Sequence, residues 1–76
     1  MRVLLKIEGN LQITEIDAME ICENGDVALY LRGYTDIIVD MPPFIAETKI
    51  RQDLARNGFS DLSSYSAEYD NRSPRL

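Results

Sequence analysis

Two adjacent prolines, Pro42 and Pro43, divide this chain into halves that cannot share one secondary structure. Neither ring nitrogen can donate to a β-ladder, so a strand arriving through Asp40 and Met41 must stop there. Pro43 holds Pro42 extended, and its own fixed φ suits the first residue of a helix. The segment Asp40-Met41-Pro42-Pro43-Phe44 is therefore expected to be the hinge between a sheet and a helix.

Before the hinge the apolar residues alternate. Val3, Leu5 and Ile7 fall on one side of residues 2–8, with Arg2, Leu4, Lys6 and Glu8 on the other, the period of a half-buried strand. Leu11 and Ile13 continue this alternation until the phase slips at Ile16, Met19 and Ile21. A turn or bulge at Thr14-Glu15-Ile16-Asp17 would absorb the slip, so the second strand is expected in two pieces.

Loop lengths follow from keeping apolar residues on one face. Asn24-Gly25 is the strongest turn signal, and a three-residue loop of Glu23, Asn24 and Gly25 sets Ile21 opposite Val27 and Met19 opposite Leu29, with Gly25 left-handed. The same reasoning predicts three-residue connections at Glu8-Gly9-Asn10, where Ile7 would meet Leu11, and before Ile37, where Leu31 would meet Ile37. The expected sheet is a four-stranded antiparallel meander. Its inner face would carry Val3, Leu5, Ile7, Leu11, Ile13, Met19, Ile21, Val27, Leu29, Leu31, Ile37, Val39 and Met41.

After the hinge Ala46, Ile50 and Leu54 form one stripe of an amphipathic helix, with Phe44 and Ile45 off it. Gly58 is placed for a left-handed C′ residue and Phe59 for the apolar contact of a Schellman motif. Ser60-Asp61-Leu62-Ser63 is expected to cap a further short turn. The fold class is thus α+β: one domain over residues 1–67 and a flexible tail over 68–76. One helix is narrow for that inner face, so the sheet is expected to curl toward a barrel or to be closed by a second copy.

With 76 residues the chain buries only about 60% of its unfolded surface, and a core of this size contributes roughly 3–5 kcal/mol, which makes self-association or a bound partner a natural expectation. The single Cys22 and the lack of histidine leave neither a disulfide nor a Cys/His zinc set, and no metal or other cofactor is expected. No signal or membrane segment is recognisable, so a cytoplasmic location is expected. Residues 1–41 hold eight acidic and three basic side chains and carry the entire net charge of −5. That balance argues against direct nucleic-acid binding, which depends on Lys and Arg.

Two constellations stand out. The face away from the helix would present Leu4, Ala28, Tyr30 and Ile38 beside Arg32, and such a face is usually polar. Scattered exposed apolar residues are common; read functionally, these form a contact patch anchored by Tyr30 and extended by Phe44 and Ile45. The second constellation is the acidic surface of Glu20, Glu23, Asp26, Asp36 and Asp40. Without a histidine or a phosphate loop beside it, a solvated charge row is the simpler reading than acid/base chemistry.

These features lead to an expectation of a non-enzymatic protein-binding regulator or inhibitor, of the kind phages and mobile elements encode, that docks a preformed surface on a larger protein. The alternatives are an acidic nucleic-acid mimic of the anti-CRISPR or anti-restriction type, and a homo-oligomeric structural subunit, a homodimer being the simplest.

Overall fold

The computed structural model describes residues 1–31 and 36–70. In chain order they form β1 (Arg2–Ile7), β2 (Asn10–Glu15), β3 (Ala18–Ile21), β4 (Val27–Tyr30), β5 (Ile37–Val39), α1 (Pro43–Asn57) and β6 (Ser60–Tyr69). The α+β class and the single helix after the prolines stand, but the sheet is six-stranded and mixed, ordered β2-β1-β6-β5-β4-β3. The expected four-stranded antiparallel meander is corrected by β6, which inserts between β1 and β5, parallel to the first and antiparallel to the second. Glu68 and Tyr69, expected to begin the tail, are the last residues of this strand; residues 71–76 lie outside the described part.

Strand β6 is hidden in the sequence by its polarity. Of SDLSSYSAEY, only Ser60, Leu62 and Ala67 are buried. Its pairing with β1 is interrupted: Leu4 aligns with Asp61 but Lys6 aligns with Ser66, so the strand bulges between them. The bulge is built by Asp61, whose carboxylate accepts the Ser63 amide at 3.0 Å and the Ser63 hydroxyl at 2.6 Å. The short turn expected at Ser60-Asp61-Leu62-Ser63 is thus corrected: all four residues belong to β6, and the Asp61–Ser63 hydrogen bonds accompany an irregularity within that strand.

The three loop expectations fare differently. Cys22 and Asp26 close the β3–β4 hairpin, Ile21 faces Val27, Met19 faces Leu29, and Gly25 has φ 91°, all as the three-residue loop required. Between β4 and β5 the faces are as expected, but Leu29 rather than Leu31 meets Ile37, a slip of two residues that preserves the side each chain faces. The β1–β2 turn differs in kind. It has two residues, Glu8 at φ 51° and Gly9 at φ 87°, so Ile7 meets Asn10 and Lys6 meets Leu11. Two consecutive positive φ angles give a type I′ turn, whose twist matches that of the strands, and shortening the loop by one residue turns Leu11 and Ile13 to the opposite face.

Strands β2 and β3 are the two pieces expected of a single broken strand, separated only by Ile16 and Asp17. They nevertheless occupy opposite edges of the sheet. In a flat sheet five strand spacings would hold them about 24 Å apart, whereas the step from Glu15 to Ala18 spans at most about 11 Å. The sheet must therefore curl until its edges meet at this corner.

The concave side holds the core. Val3, Leu5, Ile7, Ile16, Val27, Leu29, Ile37, Val39 and Leu62 pack there against Ala46 and Ile50 of α1, with Met19, Leu31, Ile45, Leu54 and Tyr65 partly buried around them. Helix α1 starts at Pro43 after an extended Pro42 and ends at Gly58, φ 79°. The Gly58 amide donates to the Leu54 carbonyl at 3.0 Å, the single-bond left-handed cap in place of the expected Schellman pair. Lys49 and Ser60 both donate to the Asp53 carboxylate at 2.9 Å, tying the helix to the start of β6.

Candidate docking surface

The convex side of the sheet is the face α1 leaves uncovered. Along β1 and β2 the register sets Leu4 opposite Ile13, Lys6 opposite Leu11 and Arg2 opposite Glu15. Leu11 is 64% exposed and Ile13 67%, while Leu4 between them and β6 is half-buried. On the other strand of this hairpin's face the pattern is inverted, since the concave positions of β2 are Asn10, Gln12 and Thr14. Strand β2 thus carries its apolar side chains toward solvent and its polar ones toward the side of the core.

A second apolar group lies on β4 and β5. Ala28 pairs with Ile38 across one ladder and with Glu20 across the other, and Ile38 in turn pairs with Glu68. Ala28 is buried and Ile38 and Tyr30 are half-buried. Leu4, Ala28, Tyr30 and Ile38 therefore all occupy the convex face on which the sequence placed them, but β6, with Asp61, Ser66 and Glu68 on that face, runs between the two groups. Arg32 lies outside the described residues. Phe44, at 79% exposure, projects from the first turn of α1, whereas Ile45 packs on the edge of the core.

The acidic residues do not form one row. Glu20, Glu23 and Asp40 are exposed, but Asp36 is buried and Asp26 is held in its loop by Asn24, whose side-chain amide donates to the Asp26 carboxylate at 3.1 Å. Asp26, Asp40 and Glu68 line an open depression of the convex face together with Ile38 and Ser66. Among the described residues, no group of three or more carboxylate, thiol or imidazole side chains is placed to hold a metal ion. Desolvation, reinforced by the Glu20 and Asp26 carboxylates, pushes the Cys22 thiol above its ordinary pKa and holds it protonated. Nor is any described helix long and apolar enough to cross a membrane.

Leu11 and Ile13 are the residues that sequence reasoning assigned to the wrong face. The available signal was Gly9, which permits the second positive φ of a two-residue turn.

No family model matches the chain, and neither curated proteins nor solved structures show a significant match to it.

Proposed function

We propose that this chain is a non-enzymatic protein-binding regulator that docks the convex face of its sheet on a larger protein. The observation that carries the reading is the inverted patterning of β2, which leaves Leu11 and Ile13 exposed beside Leu4 of β1 while the polar residues of β2 face the core side. Covering a large aliphatic side chain completely contributes about 1.5–3 kcal/mol. Tyr30 adds an aromatic anchor and Arg2 and Lys6 a polar rim, residue types suited to a contact surface.

The test uses immobilised chain and host lysate, with Leu4→Lys and Tyr30→Ala variants whose folding is checked by chemical denaturation. A protein retained by the unmodified chain and released by both variants, with weak dependence on salt, is the expected result. Retention that ignores both substitutions overturns the reading. Retention that collapses with salt and with charge reversal at Glu20 and Asp40 identifies the acidic mimic instead.

A further inference from the structure

The outer edge of β2 is one of the two edges of the sheet, the other being that of β3. Met1 and Ile16 exchange both of their backbone hydrogen bonds, Ile16 N to Met1 O at 2.7 Å and Met1 N to Ile16 O at 2.9 Å. That pair sets the phase of the antiparallel ladder. Asn10, Gln12 and Thr14 turn their amides and carbonyls to β1, and Leu11, Ile13 and Glu15 turn theirs outward. Among the described residues no strand pairs with this edge. It lacks the proline, lysine or bulge that commonly blocks such edges, and its one charge, Glu15, is ion-paired with the Met1 ammonium at 2.9 Å.

We propose that β2 pairs antiparallel with β2 of a second copy about a two-fold axis through Gln12, extending the two sheets into one. Outward-bonding residues must meet outward-bonding residues, so the axis passes through a residue and not between two. An axis at Ile13 sets Leu11 against a carboxylate, the partner's Glu15. An axis at Leu11 sets Ile13 against the partner's Gly9 in the turn. Only the axis at Gln12 sets Leu11 against the partner's Ile13, and Ile13 against the partner's Leu11, on the convex side. On the concave side it matches polar with polar: Gln12 with the partner's Gln12, and Asn10 with the partner's Thr14. Glu15 then faces the partner's Gly9, so no carboxylate is set opposite another.

The second copy also changes the docking surface. A two-fold axis perpendicular to the sheet keeps both convex faces on one side, so Leu4, Leu11 and Ile13 join their three counterparts in a single apolar stripe. The proposal stands on the backbone phase and side-chain match of β2, independently of what the convex face binds. The pairing of one six-residue edge is a small contact beside a standard interface of roughly 800 Å² per partner, and association is expected to be weak, with a dissociation constant of about a micromolar or higher. Each copy carries a net charge of −5, so added salt tightens the dimer by screening the repulsion.

Sedimentation and oxidative cross-linking test the arrangement. In a Cys22→Ser background, Gln12→Cys is expected to form a disulfide-linked dimer and Thr14→Cys to remain uncross-linked, because only residue 12 lies on the axis. Leu11→Asp alone and Ile13→Lys alone are each expected to weaken association at least tenfold, and the double variant to restore it by placing opposite charges in register. Both positions are exposed, so neither change should disturb the fold. Tyr30→Ala is expected to leave the dimer unchanged, which separates this proposal from the docking reading. A monomeric mass at about 1 mM, equal cross-linking at residues 12 and 14, or no rescue in the double variant overturns the proposal. So does an edge found occupied by a strand of another protein.

Discussion

Ile16 and Asp17 are consecutive residues that hydrogen-bond to opposite sides of one sheet, each to the strand next to an edge. The Ile16 amide donates to Met1 O at 2.7 Å beside β1, and the Asp17 amide donates to Tyr30 O at 2.8 Å at the end of β4. One peptide link therefore closes the curl. Ile16 is 1% exposed, so its side chain fills the concave side at the point where the edges converge. Ile16→Ala is expected to cost about 2–5 kcal/mol, most or all of the stability of a domain this small. Urea denaturation followed by far-UV circular dichroism measures the loss. A cost no larger than that of an exposed substitution would show that the corner is not part of the core.

The contact between α1 and β6 rests on Asp53 and Ser60. The Lys49 hydrogen bond first, and the Ser60 hydroxyl second, hold the Asp53 carboxyl below its ordinary value of 3.8. A folded-state pKa below the unfolded one contributes stability that is present above pH 3.8 and is lost as the pH falls through the lower folded value. Asp53→Asn is thus expected to lower stability at neutral pH and to flatten the acid limb of the stability profile. Ser60 is fully buried, and Ser60→Ala is expected to cost about 1–2 kcal/mol at neutral pH and less once Asp53 is protonated. Denaturation midpoints at pH 7 and pH 2.5 for the parent and both variants provide the comparison.

Glu8 holds φ 51° without being glycine. A left-handed conformation costs an ordinary L-residue roughly 1–2 kcal/mol, and asparagine relieves part of that cost. Glu8→Asn creates the Asn-Gly pair preferred in type I′ turns and is expected to stabilise the domain by about 0.5–1 kcal/mol. A neutral or destabilising effect in thermal denaturation would count against the two-residue turn, and with it against the outward placement of Leu11 and Ile13.

That turn also shows where the sequence was legible. The β3–β4 hairpin could be read because Ile21, Met19, Val27 and Leu29 demand one face and Gly25 supplies the left-handed residue at the matching position. At β1–β2 the same demand misled, because β2 is an edge strand with both faces largely exposed, and burial did not dictate its phase. Helix α1 was legible from its prolines and Gly58. Strand β6 was not, since Leu62 and Ala67 are its only buried apolar residues and the bulge between Asp61 and Ser66 breaks any period of two. Four members of the expected contact patch lie on the convex face. The patch was incomplete because the residues missing from it, Leu11 and Ile13, follow from a single residue of loop length.

Amide exchange along β2 tests the phase residue by residue. The Gln12 and Thr14 amides point to β1, and the Leu11 and Ile13 amides point to the free edge. In dilute solution, well below micromolar concentration, protection is therefore expected to alternate, slow at residues 12 and 14 and fast at residues 11 and 13. Shifting the turn by one residue would reverse the pattern, so the measurement discriminates directly between the two registers. Raising the concentration provides a second readout. Pairing of two β2 edges buries the outward amides, so residues 11 and 13 should gain protection with mass action while residues 12 and 14 change little. Protection at residues 11 and 13 that does not vary with concentration would mean that something within the chain itself covers the edge.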